Sequence, residues 1–275
     1  MYKTILVCLD NLERIDGILD LALPLAERHE AHLVGLHVTP SVFVNLATEV
    51  SVTYLEETKR ALRKTADAVR DRFKQRVDAA GLSAEWRVEE PVDANYARAV
   101  TRHALCADLI VAGQPHTSEW NGGALVTDVL IETGRPLLFV PYAGRFTDVA
   151  RRVMIAWNGT REAARAAFDA IPLIAQAEEV RILAVDPHRL PAKAGLAPAD
   201  DLALVLARHG AKIEAAVSYS GEISVGDDLL SSLSDAGSDL LVMGCYGHSR
   251  IREMLFGGVT RHILQHMTVP VFMSR

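Results

Sequence analysis

No stretch of the 275 residues approaches the roughly 20 consecutive apolar positions that a membrane-spanning helix needs. Cysteine is scarce: Cys8, Cys106 and Cys245 are odd in number and scattered, which argues against a disulfide framework and fits a reducing compartment. A basic excess is also missing. With 29 Lys and Arg against 35 Asp and Glu, the net charge is −6 and the pI is near 5.9, so a general nucleic-acid binder is not expected. The apolar run Ile5-Leu6-Val7 near the N-terminus is too short for a signal-peptide core and has no small-residue cleavage site after it. A cytoplasmic protein that does not engage membranes is the expectation. The sequence also has no Gly-x4-Gly-Lys-Ser/Thr loop, which argues against P-loop hydrolysis.

What is present is a repeat. Lys3 to Asp10 is a short apolar run ending at an acid, and Arg152 to Asn158 is the same run ending at an amide. Asp10 and Asn158 lie 148 residues apart, and so do Pro24 and Pro172. Each run is apolar on both faces and rich in β-branched residues, which suits a buried parallel strand. A helical pattern follows each, over Ile15 to Arg28 and Thr160 to Ala177. Second strands are expected at Ala31 to Val38 and Val180 to Asp186. Between these and the fourth strands lie a helix, a third strand and another helix: Val50 to Ala80, Ser83 to Glu90 and Asn95 to Leu105, then Ala199 to His209, Lys212 to Val217 and Asp227 to Ala236. The fourth strands, Ala107 to Gly113 and Ser238 to Gly244, are nearly the same sequence. Each half closes with a helix and a strand opening at proline, Pro136 to Val140 and Pro270 to Met273.

Strands and helices alternating in this way imply an α/β fold. The expectation is two tandem flavodoxin-like or Rossmann-like domains, each a five-stranded parallel sheet with helices on both faces. Pro, Gly and charged residues interrupt the apolar pattern near Pro141 to Ala150, so the domains are expected at residues 1–146 and 147–275.

In open parallel sheets ligands bind beyond the carboxyl ends of the strands. After the fourth strand of the second half the chain reads Gly-x2-Gly-x9-Gly-Gly, from Gly244 and Gly247 to Gly257 and Gly258. Gly244 and Gly247 remove side chains where a phosphate would approach main-chain N–H groups. Gly257 and Gly258 open the next helix, whose free N–H groups and dipole favour an anion. A flexible glycine-rich turn accounts for the same spacing.

With these motifs in place, the two halves resemble tandem universal stress protein domains of the UspA-like superfamily, over essentially the full chain. ATP-binding members of that family carry Gly-x2-Gly-x9-Gly followed by Ser or Thr, an acid ending the first strand beside the nucleoside, and an apolar residue ending the second strand beside adenine. The resemblance implies Gly244, Gly247 and Gly257 for the phosphates with His248 beside them, and Val185, Met243 and Val259 around the base. Ala156 and Asn158 fall beside the nucleoside. Gly258 stands where the family has a hydroxyl, and Asn158 where it has the acid. Losing one hydrogen bond to a charged phosphate costs about 1.5–3 kcal/mol, roughly tenfold to over a hundredfold in affinity.

The first half departs further. His116 replaces the expected second glycine, Pro115 removes a donor, and the span from Gly113 to Pro136 is 23 residues against 26 from Gly244 to Pro270. Asp10 and Val38 remain at the nucleoside positions, and this half reads as structural or regulatory. Other residues have plainer readings. His262 and His266 are four apart, as two metal ligands would be, but no acid or cysteine accompanies them at suitable spacing. Cys245 reads as a small residue filling a turn, with a redox sensor as the rival. Cys8 and Cys106 read as core. Trp157 fits either a stacked base or a domain interface. Leu62, Val69 and Phe73 form the core face of the long helix.

These observations converge on a stress-response regulatory protein that binds ATP, with Mg²⁺ as companion and ADP or AMP as related ligands, in its second half. Hydrolysis is expected to be slow or absent because no general base is evident. Two rivals stand beside it. One is an interaction module that binds no nucleotide; the other is a weak enzyme on a nucleotide or phosphorylated metabolite, using His248 and Ser249. The resemblance further implies an intrachain pseudo-dimer through the last strands, which would otherwise be open edges, and admits a homodimer.

Overall fold

Short apolar runs become the strands of this protein, and the segments of helical period between them cover both faces of the resulting sheet. The computed structural model describes residues 1–40, 52–91, 95–115, 123–189, 198–245 and 258–275. In the first half the order is β1 (Thr4–Cys8), α1 (Ile15–His29), β2 (His32–Val38), α2 (Val52–Ala80), β3 (Ala84–Glu89), α3 (Tyr96–Ala104), β4 (Leu109–Gly113), α4 (Gly123–Thr133) and β5 (Leu137–Val140). The second half repeats it with β6 (Arg152–Ala156), α5 (Arg161–Asp169), α6 (Ile171–Ile174), β7 (Glu179–Val185), α7 (Ala199–Arg208), β8 (Ile213–Ser218), α8 (Val225–Asp235), β9 (Leu240–Gly244), α9 (Gly258–His266) and β10 (Val271–Ser274).

The strands form one ten-stranded sheet in the order β3-β2-β1-β4-β5-β10-β9-β6-β7-β8. Within each half every pairing is parallel. The two halves meet where β5 and β10 pair antiparallel, Phe139 opposite Val271 and Leu137 opposite Met273. The last strand of each half therefore covers the open edge of the other. Leu137, Leu138, Phe139, Val271, Phe272 and Met273 are all fully buried at this seam. Burial of a large apolar side chain contributes roughly 1.5–3 kcal/mol, so the seam is a substantial part of the core.

One face of the sheet carries α1, α2, α5, α6 and α7, with Ile5, Val7, Val153 and Ile155 pointing towards them. The other carries α3, α4, α8 and α9, with Leu6, Cys8, Met154 and Met243 pointing that way. Polar groups lock the halves further. Gln114 Nε2 donates to the carbonyl of Leu264 in α9 (2.8 Å), and the Tyr142 N–H donates back to Gln114 Oε1 (3.1 Å). Ser274 Oγ donates to Asp169 Oδ2 (2.5 Å), and Tyr2 OH donates to the Asp169 carbonyl (2.7 Å).

The segment between the halves is clasped to α1. Arg28 Nη1 donates to the Val149 carbonyl (2.9 Å) and pairs with Asp148, while Arg145 Nε donates to Asp20 Oδ2 (2.8 Å). Asp20 also pairs with Arg76 of α2 (2.6 Å). Burial acts to raise the Asp20 carboxyl, but the hydrogen bonds from Arg76 and Arg145 prevail and hold it below its ordinary value.

Three details differ from the sequence-based expectation. The helix expected over Thr160 to Ala177 is two helices, α5 and α6, with the break at Ala170 and Pro172 in the first turn of α6. Proline has no N–H to continue the ladder, so it suits a first turn. At the matched place in the first half, Pro24 lies inside an unbroken α1. Cys106 is exposed, in the turn between α3 and β4, where an apolar neighbourhood in sequence does not translate into burial. Cys245 is fully buried, with its N–H donating to the Ser274 carbonyl (2.9 Å), which removes the exposure a redox sensor needs.

Candidate functional site

In each half the strand order reverses between the first and fourth strands, and a doubly wound sheet leaves its crevice at that reversal. In the second half the reversal falls between β6 and β9, so Asn158 and Gly244 emerge side by side at the carboxyl edge. A cavity of about 250 Å³ opens there. Whole small-molecule ligands usually occupy roughly 300–1,000 Å³, so this space suits the enclosed part of a larger molecule.

The cavity is built from three strands and two helices, with Ala163 of α5 beside them. Ala156 and Met243 form its floor from the adjacent strands β6 and β9, and Leu183 and Val185 continue it along β7. One wall is α8, through Val225 and Leu229; the other is the first turn of α9, through Gly258, Val259 and Thr260. Seven of the ten residues expected from the sequence line it: Ala156, Asn158, Val185, Met243, Gly244, Gly258 and Val259. Gly247, His248 and Gly257 lie outside the described residues, as does Ser249. Leu183, Val225 and Leu229 were not anticipated. Their signal was legible: Leu183 is two residues before Val185 on the same strand face, and Val225 and Leu229 are one helical turn apart.

Local polar geometry sets the chemistry at the rim. Asn158 Oδ1 accepts from the Thr160 N–H (3.3 Å) and from Thr160 Oγ1 (2.8 Å). The carboxamide oxygen is thus engaged, which leaves the Asn158 amino group as the donor at the exposed edge. An acid at this position would present acceptors instead. Thr160 in turn caps α5, its side chain accepting from the Ala163 N–H (3.4 Å). The first turn of α9 borders the cavity through Gly258, Val259 and Thr260, and the N-terminal end of a helix favours negative charge. No carboxylate and no imidazole lies among the described residues lining the cavity.

Gly244 has a packing duty that sequence reasoning did not supply. A Cβ there would lie 2.4 Å from Ala163 N and 2.5 Å from Glu162 C, so the first turn of α5 rests directly on this glycine. At Gly258, by contrast, a Cβ would meet nothing within 4 Å among the described residues.

The walls of the cavity are tied together outside it. His262 of α9 has Nε2 2.9 Å from Asp227 Oδ1 of α8, and its ring lies over Gly226, where a Cβ would be 2.6 Å away. The Asp227 carboxyl is held below its ordinary value by the hydrogen bond from Ser224, with His262 adding to the effect. His266 Nδ1 lies 2.9 Å from the His262 carbonyl. Among the described residues no group of three or more His, Cys, Asp or Glu is placed to hold a metal ion. Trp157 also lines the cavity, and its side chain is buried in the cluster with Ile155 and Ala163.

Comparison with known proteins gives a consistent picture. The model of the universal stress protein family matches this chain twice, over residues 1–132 and 150–275. A stretch of 74 residues is 35% identical to the universal stress protein Slr1230 of Synechocystis, covering 26% of this chain and 24% of that protein. The chain therefore aligns with about a quarter of the length of this curated relative. Among solved structures, a universal stress protein from Archaeoglobus fulgidus superposes with a TM-score of 0.74 at 17% identity, covering 99% of this chain and 96% of that one. A putative universal stress protein from Pseudomonas aeruginosa gives 0.58 at 12% identity, covering 99% and 93%. At these identities the likeness speaks to the fold.

Proposed function

The chain belongs to the universal stress protein family, and from that premise we propose that its second half binds an adenine nucleotide and that the protein acts as a nucleotide-dependent regulator in a stress response. The observation that carries this reading is the cavity at the β6–β9 reversal, apolar at its floor and bordered at its rim by the first turn of α9. In this reading the base lies against Val185, Met243 and Val259, and the sugar lies beside Ala156 and Asn158. The phosphates extend towards Gly244, Gly258 and the segment that holds Gly247, His248 and Gly257. Thr260, whose hydroxyl-bearing side chain lines the cavity, stands two residues from the place where Gly258 lacks one.

ATP, with Mg²⁺ as companion, is the proposed ligand, with ADP and AMP as competitors for the same floor. Hydrolysis is not the proposed role, because the described lining offers no group to deprotonate water. The output is a shift of population: a nucleotide that orders the surroundings of α9 favours one arrangement of the surface it carries. Among the described residues no helix is long and apolar enough to cross a membrane, and we place the protein in the cytoplasm. We set the domains at residues 1–146 and 147–275, a boundary that falls within the clasped segment. A homodimer of whole chains is compatible with this arrangement.

Isothermal titration with ATP and Mg²⁺, repeated with ADP and AMP, tests the proposal. One site per chain, lost in Gly247→Val, is the expected result. Equal binding by the variant would sink the assignment. A second reading, a module that binds partners without nucleotide, is favoured by Asn158 and Gly258, and absence of heat at millimolar ATP would establish it.

A further inference from the structure

The second half has only ten residues in α7, whereas α2 of the first half runs for 29. The extra turns carry α2 beyond the sheet, so that it overhangs the edge strand β3. Beneath the overhang lies a cleft of about 350 Å³, on the face opposite that of α3 and α4. Its origin is a taper in the core stripe of α2. Phe73 and Val69 fill the space between helix and sheet, but one turn further back the stripe continues with Ala66 and then the half-buried Leu62. A small side chain at Ala66 leaves a gap that a larger one would close.

The floor of this gap is a fixed aromatic surface. Trp86 of β3 packs against Phe73, with ring centroids 5.3 Å apart, and stacks over His37 at 6.5 Å. Gly35, its partner across the β2–β3 ladder, makes this possible, since a Cβ there would lie 2.8 Å from both rings. Val88 extends the apolar floor and is 52% exposed, a large apolar side chain left open inside a concave surface.

The rim is cationic. Lys59, Arg63 and Arg70 lie along one face of α2 and all line the cleft. Arg70 is satisfied by Asp67 at 2.7 Å and Asp71 at 3.0 Å. Lys59 reaches an acid only at 3.9 Å, at Glu56, and Arg63 has no acidic partner among the described residues. Glu90 is the acid on the opposite wall. An unpaired guanidinium beside an apolar slot is an arrangement that recognises one negative group on an apolar body. It stands out in a chain of net charge −6.

We propose that this cleft is a second ligand site, for a small aromatic or cyclic carboxylate whose ring lies against Trp86 and Val88 and whose carboxylate faces Arg63 and Lys59. The site is independent of the nucleotide reading, since it lies on the other face of the sheet and in the other half. It gives the first half a ligand of its own without a phosphate loop.

The test is titration of the full chain with 2-naphthoate, with 2-naphthalenemethanol as the neutral control, at low salt. One site per chain is expected for the carboxylate, with the neutral analogue at least about tenfold weaker. Arg63→Gln, an exposed change that leaves the core intact, is expected to weaken 2-naphthoate about tenfold, and Ala66→Phe to abolish binding by filling the gap. Circular dichroism and melting temperature keep a misfolded Ala66→Phe from being counted as support. Failure of 2-naphthoate to bind at millimolar concentration would overturn the proposal, and so would unchanged binding in Arg63→Gln or equal binding of the neutral analogue. The ATP titration reads separately, so either site can fail without the other.

Discussion

In the second half Ala156 and Val185 are partly open to a cavity, while in the first half their counterparts Cys8 and Val38 are 2% and 4% exposed. The correspondence is set by the backbone: Leu9 N–H donates to the Leu36 carbonyl as Trp157 N–H donates to that of Leu183. The helices that follow the third strands begin alike, each capped by a polar side chain, Asn95 accepting from Arg98 N–H and Ser224 from Asp227 N–H. The next residue is Tyr96 in one and Val225 in the other, so the first half brings a ring to the wall where the second brings a valine. Burial also pushes the Cys8 thiol up, with the Asp10 carboxylate adding to the effect, so this cysteine is chemically silent.

The fourth strands differ in what rests on their final glycine. Gly244 bears the backbone of α5, whereas Gly113 bears the side chain of Arg14, whose guanidinium would be 2.6 Å from a Cβ and donates to the Gln114 carbonyl (2.8 Å). Gln114 then reaches α9 of the other half. A strand end that opens onto the cavity in one half serves as a strut in the other. The two halves share a scaffold whose strand ends are partly open at Ala156 and Val185 and buried at Cys8 and Val38.

Replacing each of these glycines by alanine gives the sharpest test of that contrast. Gly244→Ala must move a helix backbone and is expected to cost about 3 kcal/mol, while Gly113→Ala displaces a flexible arginine and costs about 1 kcal/mol. Urea midpoints of the two variants measure the difference, and equal costs would break the comparison. Next in size, Gly258→Ser restores a hydroxyl at a position with open space and is expected to tighten ATP about tenfold or more. Titration of ATP reads it, and an unchanged affinity would mean that Thr260 already supplies the bond.

Acid should separate the halves by a smaller margin. His29 at the end of α1 is fully buried against Tyr2, and its matched position in the second half is Ala177. Burial, together with the N-terminal amino group, Arg28 and Lys3, lowers the pKa of His29 to about 4 from its ordinary 6.5. The folded state therefore resists protonation that the unfolded chain accepts. Its contribution is complete above pH 6.5 and is lost as the pH falls from 6.5 towards 4. His29→Phe should flatten the stability profile over that window, and an unchanged slope would count against it. Last, Val225→Tyr gives the second half the first half's residue and should weaken ATP about tenfold, with full affinity showing that the ring is not what closes the first crevice.

Much of the scaffold could be read in advance because it rests on local rules. The 148-residue offset between Asp10 and Asn158 places both just past the end of a first strand, and runs apolar on both faces became strands within two residues of their expected bounds. Most of the cavity was named for the same reason, since strand ends and helix starts converge wherever strand order reverses. Other features were illegible for lack of any local cause. Pro24 and Pro172 occupy matched positions, yet only one helix breaks. Cys106 looked apolar by its neighbours but sits in a turn at the surface. Gly244 suggested a phosphate, while its immediate necessity is the backbone of α5.

The sequence by itself determined the repeat, the alternation of strand and helix, and the carboxyl edge on which the cavity opens, because periodicity and turn chemistry act over a few residues. Only the tertiary structure decided which crevice stays open, that the last strands of the two halves seal each other antiparallel, and that α2 overhangs a second cleft. Those outcomes depend on volumes and contacts between residues far apart in the chain, where a small side chain such as Ala66 leaves space that a larger one would fill.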